Sequence, residues 1–277
     1  MVLWMSSDYF EFAGGAMGTY AGVVLLATVG AMFLVSSTDL LMAAISLELL
    51  SIASFILTGF AMGRRSSGEG ALKFFLVGML STAVFLFGAS YFYGYFGTTA
   101  IAPLQAMAAA GERPDLVGAL VLMFLIAGVG FKLTMAPFHM WAPDAYEGAP
   151  TPVTAFLSSV PKAAAIAFML RLFANHQPLG ITPLLAVLAA LTMTVGNLGA
   201  LHQTNVKRMM AYSSVAHVGY ILVALVAGGA QGIQAAMFYT FIYLFMNLGL
   251  FAGLLMISNQ TRSDDACLLY TSPSPRD

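Results

Sequence analysis

Ionisable side chains lie inside several long apolar stretches of this 277-residue sequence, where a charge is costly. Five of them are candidates for chemistry: Glu48, Lys73, Lys132, Lys162 and His217. A charged group at the centre of a bilayer costs about 2.5–3.5 kcal/mol on insertion scales, so such residues usually serve a function. A buried lysine whose carboxylate partner comes and goes can take up and release a proton. The pattern therefore predicts residues that exchange protons.

Two of the lysines lie beside residues that weaken a helix. Lys132 is part of GVGFKLTMAPF, residues 128–138, and Lys162 directly follows Pro161. Where glycine and proline interrupt a membrane helix, the freed backbone groups must face protein or water rather than lipid. Charged side chains beside interrupted helices are typical of ion pathways. This context favours chemistry at both lysines.

The elements that hold these residues are membrane helices. The chain is 60% hydrophobic and 8% charged, whereas a soluble domain has about 25% charged residues. Apolar runs long enough to cross a hydrocarbon core of roughly 30 Å recur along the chain. The alternative, a soluble helical bundle, could not hide so many continuous apolar helices. We expect an all-α, polytopic membrane protein in a lipid bilayer.

Eight membrane spans are predicted within a membrane domain at residues 18–257. A short apolar stretch at residues 100–115 is interpreted as an interfacial connector. The predicted spans are 18–36, 39–62, 71–97, 115–138, 152–173, 181–203, 206–227 and 232–257.

The distribution of basic residues predicts the orientation, because cytoplasmic loops are enriched in lysine and arginine. The start of the chain and the loops after the even-numbered spans lie on one side, which carries Arg64, Arg65, Lys207, Arg208 and Arg262. The opposite side carries only Arg113 and Arg171. We therefore expect the first side to be cytoplasmic, in a bacterial inner membrane.

The two ends of the sequence differ from the membrane domain. Residues 1–17 are interpreted as the truncated end of a preceding span, and residues 258–266 as a polar loop. The last residues, CLLYTSPSPRD at 267–277, resemble translated sequencing adapter and are interpreted as an artefact. The alternative is a natural disordered tail. On the first interpretation the sequence is a fragment.

Two of the candidates have plain alternatives. Lys73 is close enough to the start of its predicted span to extend its ammonium group to the interface. His217 could be a packing histidine satisfied by Ser213 and Tyr220, which share its helical face. For the three deeper candidates the alternative is a static ion pair that only locks helices together.

Other chemistries are poorly supported. The only cysteine, Cys267, excludes a disulfide framework or a thiolate-bound cluster. There is no histidine pairing for haem, no metal-ligand cluster and no glycine-rich phosphate cradle. No basic block suggests nucleic acid. We expect no cofactor bound by this chain.

Two stretches resemble a known family. They are FKLTMAPFHMWAPDAYEGAPTPVTAFLSSVPKAAAIAFMLRLF at residues 131–173 and GNLGALHQTNVKRMMAYSSVAHVGYILVAL at residues 196–225. Both resemble antiporter-like subunit N of respiratory complex I, the NADH–quinone oxidoreductase. The resemblance implies interrupted helices in inverted five-helix repeats. It also implies a proton-translocating subunit without a redox centre, beside sister antiporter-like subunits. NADH, FMN, iron–sulfur clusters and quinone would be bound by partner subunits.

The resemblance also implies roles for the candidate residues. Glu48 and Lys132 would form the ion pair of a half-channel, and Lys162 would relay protons onward. Lys73 matches a further family lysine, and His217 matches a polar relay position on a central helix. The alternatives are a subunit of a cation/proton antiporter or membrane-bound hydrogenase, and a structural membrane scaffold that transports nothing.

Overall fold

The protein folds as a bundle of helices. The computed structural model describes residues 1–6, 17–61, 63–173 and 177–261, without the side chains of residues 259–261. In these ranges there are a helical segment at residues 2–6, an isolated β-bridge between Asp39 and Ala100, and no strand. The helices are α1 Met17–Ser36, α2 Leu40–Thr58, α3 Arg65–Phe96, α4 Ala102–Ala109, α5 Leu116–Leu133, α6 Trp141–Gly148, α7 Thr151–Phe173, α8 Thr182–Leu201, α9 Val206–Ala227 and α10 Gly229–Thr261. The predicted all-α fold is confirmed.

Eight helices in the described part of the chain are long and apolar enough to cross a membrane. They are all the helices except α4 and α6, and each corresponds to one predicted span. The shortest, α5, has 18 residues, which spans about 27 Å at the usual helical rise. The predicted connector contains α4, which is too short to cross. The chain is an integral membrane protein.

Polar residues before the apolar runs define where several spans begin. The Asp39 carboxylate accepts hydrogen bonds from the first backbone N–H groups of α2, at 2.8 and 3.2 Å. Asp115 caps α5 in the same way, and Asn205 caps α9. Such caps satisfy N–H groups that the helix itself leaves free. The loop residues in the sequence are therefore also helix start signals.

Two helices extend beyond their predicted bounds. Helix α3 begins at Arg65 rather than residue 71, because the Ser67 hydroxyl donates to the Thr58 carbonyl oxygen and holds the first turn against α2. Lys73 is consequently in the third turn of α3. Helix α10 continues to Thr261, so the predicted polar loop is helical at residues 258–261. The predicted adapter segment lies outside the described residues.

The predicted interruption is present beside one lysine and absent beside the other. Helix α5 ends at Leu133 rather than residue 138, because Thr134 adopts a left-handed conformation with φ 63° and ψ 33°. The chain then turns and forms the short helix α6. Helix α7, in contrast, continues through Pro161. A proline removes one backbone N–H, but helices packed around a buried segment can hold it straight. The prediction of an interruption at Pro161 was wrong.

Helix α7 is the centre of the bundle. It is the most buried of the eight candidate spans and packs against α1, α2, α5, α9 and α10. Its position explains why a side chain near its middle is removed from both lipid and water. The short helix α6 packs against α3 and α9. A side chain at Gly70 would collide with the backbone of Asp144, so the absence of one allows this close approach.

Candidate functional site

Lys132 lies in the last turn of α5, and its side chain is only 2% exposed. Its ammonium group donates a hydrogen bond of 3.0 Å to the Ser51 hydroxyl on α2. It also lies 5.6 Å from the centroid of the Phe74 ring, within the range of a cation–π interaction. A buried amine thus rests between one hydroxyl and one aromatic face.

Glu48 is partly buried on α2, one helical turn before Ser51. Within the described residues no ion pair joins Glu48 to Lys132, although the two charges are close enough to interact. The contact pair expected from the sequence is therefore absent in this conformation. The reason is geometric: the ammonium group of Lys132 is directed to Ser51, which lies on the next turn of the same helix.

Lys162 is near the middle of α7 and fully buried. Its ammonium group donates a hydrogen bond of 3.0 Å to the Thr134 hydroxyl and contacts the Ser214 hydroxyl on α9. It also lies 5.8 Å from the centroid of the Tyr146 ring. The residue that ends α5 therefore binds the central lysine, and Thr134 connects the segment carrying Lys132 to Lys162.

His217 is linked through tyrosines to the hydroxyl groups around Lys162. Its Nδ1 atom lies 2.7 Å from the Tyr239 hydroxyl on α10, and its ring is 5.3 Å from the Tyr243 ring. The Tyr243 hydroxyl in turn lies 2.5 Å from the Ser214 hydroxyl. Tyr220 packs edge-on against the histidine, as the sequence predicted, but the hydrogen-bond partner is Tyr239.

Lys73 is not part of this buried group. Its ammonium group pairs with Glu69 at 2.7 Å and with Asp144 of α6 at 2.8 Å, and its side chain is 46% exposed. Arg208 of α9 pairs with Asp144 at 2.5 Å and with Glu147 at 2.8 Å. Desolvation would raise the pKa of Asp144, but the hydrogen bonds from Lys73 and Arg208 outweigh it, so the pKa is lowered. The charges form a partly exposed cluster that fastens α6 to α3 and α9.

The sequence interpretation missed the hydroxyl groups that connect the candidates. These groups are Ser51, Thr134, Ser214, Tyr239 and Tyr243. Serine, threonine and tyrosine occur in every membrane-spanning helix except α5, so their residue type carries no signal. Only the position of Ser214, on the same helical face as His217, could have indicated one of them.

An apolar layer lies on the other side of the buried lysines. The segments of α7 and α9 that follow Lys162 and His217 enclose a small cavity with the end of α5. The side chains that line it are apolar: Leu133, Ile166, Met169, Leu170, Val218, Ile221, Leu222 and Leu225. Hydrocarbon surroundings exclude water from such a cavity. The polar group is thus separated from the face at which α7 and α9 end.

The arrangement can hold and pass protons. A lysine amine accepts or releases one proton, and a hydroxyl group both accepts and donates, so the contacts form a relay without a metal ligand. Both buried lysines have hydroxyl partners. They lie where the residues that end α5 contact the middle of α7.

Comparisons with known proteins agree with the resemblance. A family model described as the transmembrane region of NADH:quinone oxidoreductase/Mrp antiporter matches residues 37–271. NAD(P)H-quinone oxidoreductase subunit 2 of Prochlorococcus marinus (strain MIT 9303) is 47% identical over 270 residues, covering 95% of this chain and 50% of that protein. NADH-quinone oxidoreductase subunit N 2 of Symbiobacterium thermophilum is 47% identical over 273 residues, covering 92% of this chain and 53% of that protein.

A solved structure shows the same fold. The structure of respiratory complex I from Thermus thermophilus with bound aureothin contains a chain 41% identical to this one, with a TM-score of 0.75. The match covers 86% of this chain and 51% of that chain. The chain thus spans about half the length of the relatives that it matches. By sequence and by structure, it belongs to the NADH:quinone oxidoreductase/Mrp antiporter family of membrane proteins.

Proposed function

We propose that this chain forms part of a proton-translocating membrane subunit, of type N, in an NADH–quinone oxidoreductase. The observation that carries the proposal is the pair of buried lysines, Lys132 and Lys162, whose ammonium groups are held by hydroxyls. A scaffold has no need of two buried amines, each of which is costly inside a membrane. A transporter needs groups that change protonation state away from water.

The proposed proton path begins at Glu48 and Lys132. When the two charges are in contact, their attraction is worth about 4 kcal/mol at an effective dielectric constant of about 20. Doubling the distance between them halves this attraction. A small movement that makes or breaks contact can therefore change the protonation state of Lys132. The conformation described here, with Lys132 bonded to Ser51, serves as the separated state.

Lys162 takes the proton onward. A proton released near Lys132 reaches the Thr134 hydroxyl through a water molecule, and Thr134 is bonded to the Lys162 amine. The apolar layer beyond the lysines prevents a direct leak to the opposite face. His217 and Tyr239 extend the path towards α10. Lys73 is included in the proposal because it matches a lysine of the family, and it lies at the protein surface.

The other parts of the complex supply the energy. The relatives are named as subunits of NAD(P)H-quinone and NADH-quinone oxidoreductases, so quinone reduction in partner subunits is the proposed source. NADH, FMN, iron–sulfur clusters and quinone would be bound there, and sister antiporter-like subunits would pack beside this one. The Arg64–Arg65 and Lys207–Arg208 loops would face the cytoplasm of a bacterial cell.

A Mrp-type cation/proton antiporter remains the second candidate, because the same family description includes it. Buried lysines serve either function. The oxidoreductase is favoured by relatives 47% identical that carry its name.

Replacing the central lysine tests the proposal. In the complete complex, Lys162→Ala should reduce NADH-driven proton uptake by vesicles about a hundredfold, because a positioned proton-transfer group commonly contributes that much. Coupled NADH oxidation should also slow. The matched control is Ser158→Ala, another fully buried position on α7, whose hydroxyl donates to the Ala155 carbonyl oxygen of its own helix. Normal pumping by assembled Lys162→Ala complex would reject the proposed function.

A further inference from the structure

A buried tyrosine hydroxyl lies beside the serine hydroxyl that contacts the central lysine. Tyr146 of α6 is fully buried, and its oxygen interacts with Ser214 without the geometry of a full hydrogen bond. The oxygen lies close to Ser214 and Tyr243. Buried hydroxyl groups are nearly always bonded, and Ser214 is the group within reach of this one. Burial raises the pKa of this hydroxyl, which therefore keeps its proton.

Ser214 is the group that could bond it. The Ser214 hydroxyl already contacts the Lys162 ammonium group and lies 2.5 Å from the Tyr243 hydroxyl. A serine hydroxyl has one proton to donate and two lone pairs. The lysine takes one lone pair as a donor. The remaining lone pair can accept a hydrogen bond from one tyrosine while the serine proton is donated to the other. Tyr146 and Tyr243 can exchange these two roles.

The two tyrosines lead to different parts of the protein. Tyr146 is on α6 between Asp144 and Glu147, the acidic residues that pair with Arg208 in the partly exposed cluster. Tyr243 is on α10, with its ring beside His217. Ser214 thus has one tyrosine neighbour on the side of the partly exposed cluster and another on the side of the histidine.

We propose that Ser214 is a three-way junction through which Lys162 exchanges protons with two branches. One branch runs through Tyr146 towards the face that carries the α6 cluster. The other runs through Tyr243 towards His217. The inference rests on the proposed proton translocation and specifies how Lys162 is loaded.

The transfer balances at every step. The Lys162 ammonium group breaks one N–H bond and gives that proton to the Ser214 oxygen. Ser214 releases its own proton to the Tyr146 oxygen, and Tyr146 releases its original hydroxyl proton to a water molecule. The amine becomes neutral, both hydroxyls end with one proton each, and the charge leaves on the water. The reverse sequence loads Lys162.

Conservative variants separate the hydroxyl from the ring. Tyr146→Phe keeps the aromatic ring that faces Lys162 and removes only the oxygen. Ser214→Ala removes the junction, whereas Ser214→Thr keeps a hydroxyl. Tyr20→Phe is the matched control because Tyr20 is also fully buried but lies on α1, bonded to Ser6.

The experiment measures NADH-driven proton uptake per assembled complex in vesicles. We expect Tyr146→Phe and Ser214→Ala to lower it about tenfold, less than the loss of a full proton-transfer group because water can enter the vacated space. Ser214→Thr should restore most of the pumping that Ser214→Ala loses, and Tyr20→Phe should pump normally. The double variant Tyr146→Phe/Ser214→Ala should be no worse than Ser214→Ala alone, because Ser214→Ala already disconnects the branch that contains Tyr146.

The same assay with Lys162→Ala separates this inference from the proposed function. If Lys162→Ala pumps normally, proton translocation through this lysine is wrong. If Lys162→Ala stops pumping while Tyr146→Phe and Ser214→Ala behave as Tyr20→Phe does, only the junction is overturned. Equal losses for Ser214→Thr and Ser214→Ala would also overturn it, because the effect would then follow packing rather than the hydroxyl.

Discussion

At the scale of single residues, the partners of the buried lysines matter more than their depth. Lys132 and Lys162 are held by hydroxyl groups, and no carboxylate contacts either of them in the described part of the chain. A carboxylate in contact stabilises only the charged amine, whereas a hydroxyl can bond either form. In the proposed mechanism, hydroxyl partners leave the protonation of the amine free to respond to a more distant charge, and Glu48 supplies that charge to Lys132.

A double-mutant cycle tests whether Glu48 and Lys132 act as one unit. Lys132→Ala removes the amine and leaves a carboxylate that is only partly buried, so assembly should survive while pumping is lost. Glu48→Ala should likewise stop cycling by removing the charge that acts on the amine. The double variant should be little worse than either single one. The measurement is proton uptake by vesicles, normalised to assembled complex; losses that multiply would mean that the residues work independently.

At the scale of helices, the break after α5 and the continuity of α7 together build the site. Ending α5 at Leu133 brings the Thr134 hydroxyl to Lys162 and lets α6 enter with Tyr146. The indole N–H of Trp141 donates to the Phe131 carbonyl oxygen at 3.1 Å and fixes the start of α6 against the end of α5. Because α7 is unbroken, the apolar residues that follow Lys162 on this helix close the site on the side opposite α6.

Leu222 in this apolar layer provides a test of the closure. Leu222→Ser should admit water between α7 and α9 and raise passive proton permeability, because a polar side chain gives water a hydrogen-bond partner. The Leu222→Met control keeps the layer apolar and similar in volume. Proton leak is followed in vesicles without NADH after a pH step. A Leu222→Ser complex as tight as its Met control would show that the barrier lies elsewhere.

At the scale of the whole molecule, the connections between successive membrane helices lie alternately at two faces of the bundle. On one face, α6 meets the starts of α3 and α9 through Asp144. On the other, Arg171 at the end of α7 donates to the Ser36 carbonyl oxygen, and Asp39 forms a β-bridge with Ala100. This grouping agrees with eight spans that cross alternately.

Labelling from either side of the membrane tests which face is cytoplasmic. In the complete subunit with any other cysteine replaced by serine, Arg64→Cys and Arg113→Cys each provide one exposed thiol, on the two faces expected to be opposite. A membrane-impermeant maleimide should label Arg64→Cys only in inside-out vesicles and Arg113→Cys only in intact cells stripped of their outer membrane. The reverse pattern would invert the predicted orientation. Labelling after detergent treatment controls for thiol accessibility.

The sequence by itself determined the membrane class, the eight spans and the candidate charges. These follow from local properties: runs of apolar residues long enough to cross the bilayer, polar residues that cap helices, and ionisable groups where their burial is costly. Lys132, Lys162 and His217 stood out because a charge or an imidazole is rare in such surroundings. Span boundaries were less certain, since Ser67 holds the start of α3 through a contact with another helix.

The tertiary structure alone decided which groups touch. Glu48 and Lys132 have opposite charges and suggested a contact pair, yet the direction of the lysine side chain selects Ser51. Lys73 resembles the other lysines in sequence, but α6 brings Asp144 to it at the surface. The junction at Ser214 joins α7, α9 and α10, and Tyr146 approaches it from α6. Hydrogen bonds between helices depend on packing angles and helix ends, which apolar patterning leaves open, so these contacts could be known only once the helices were assembled.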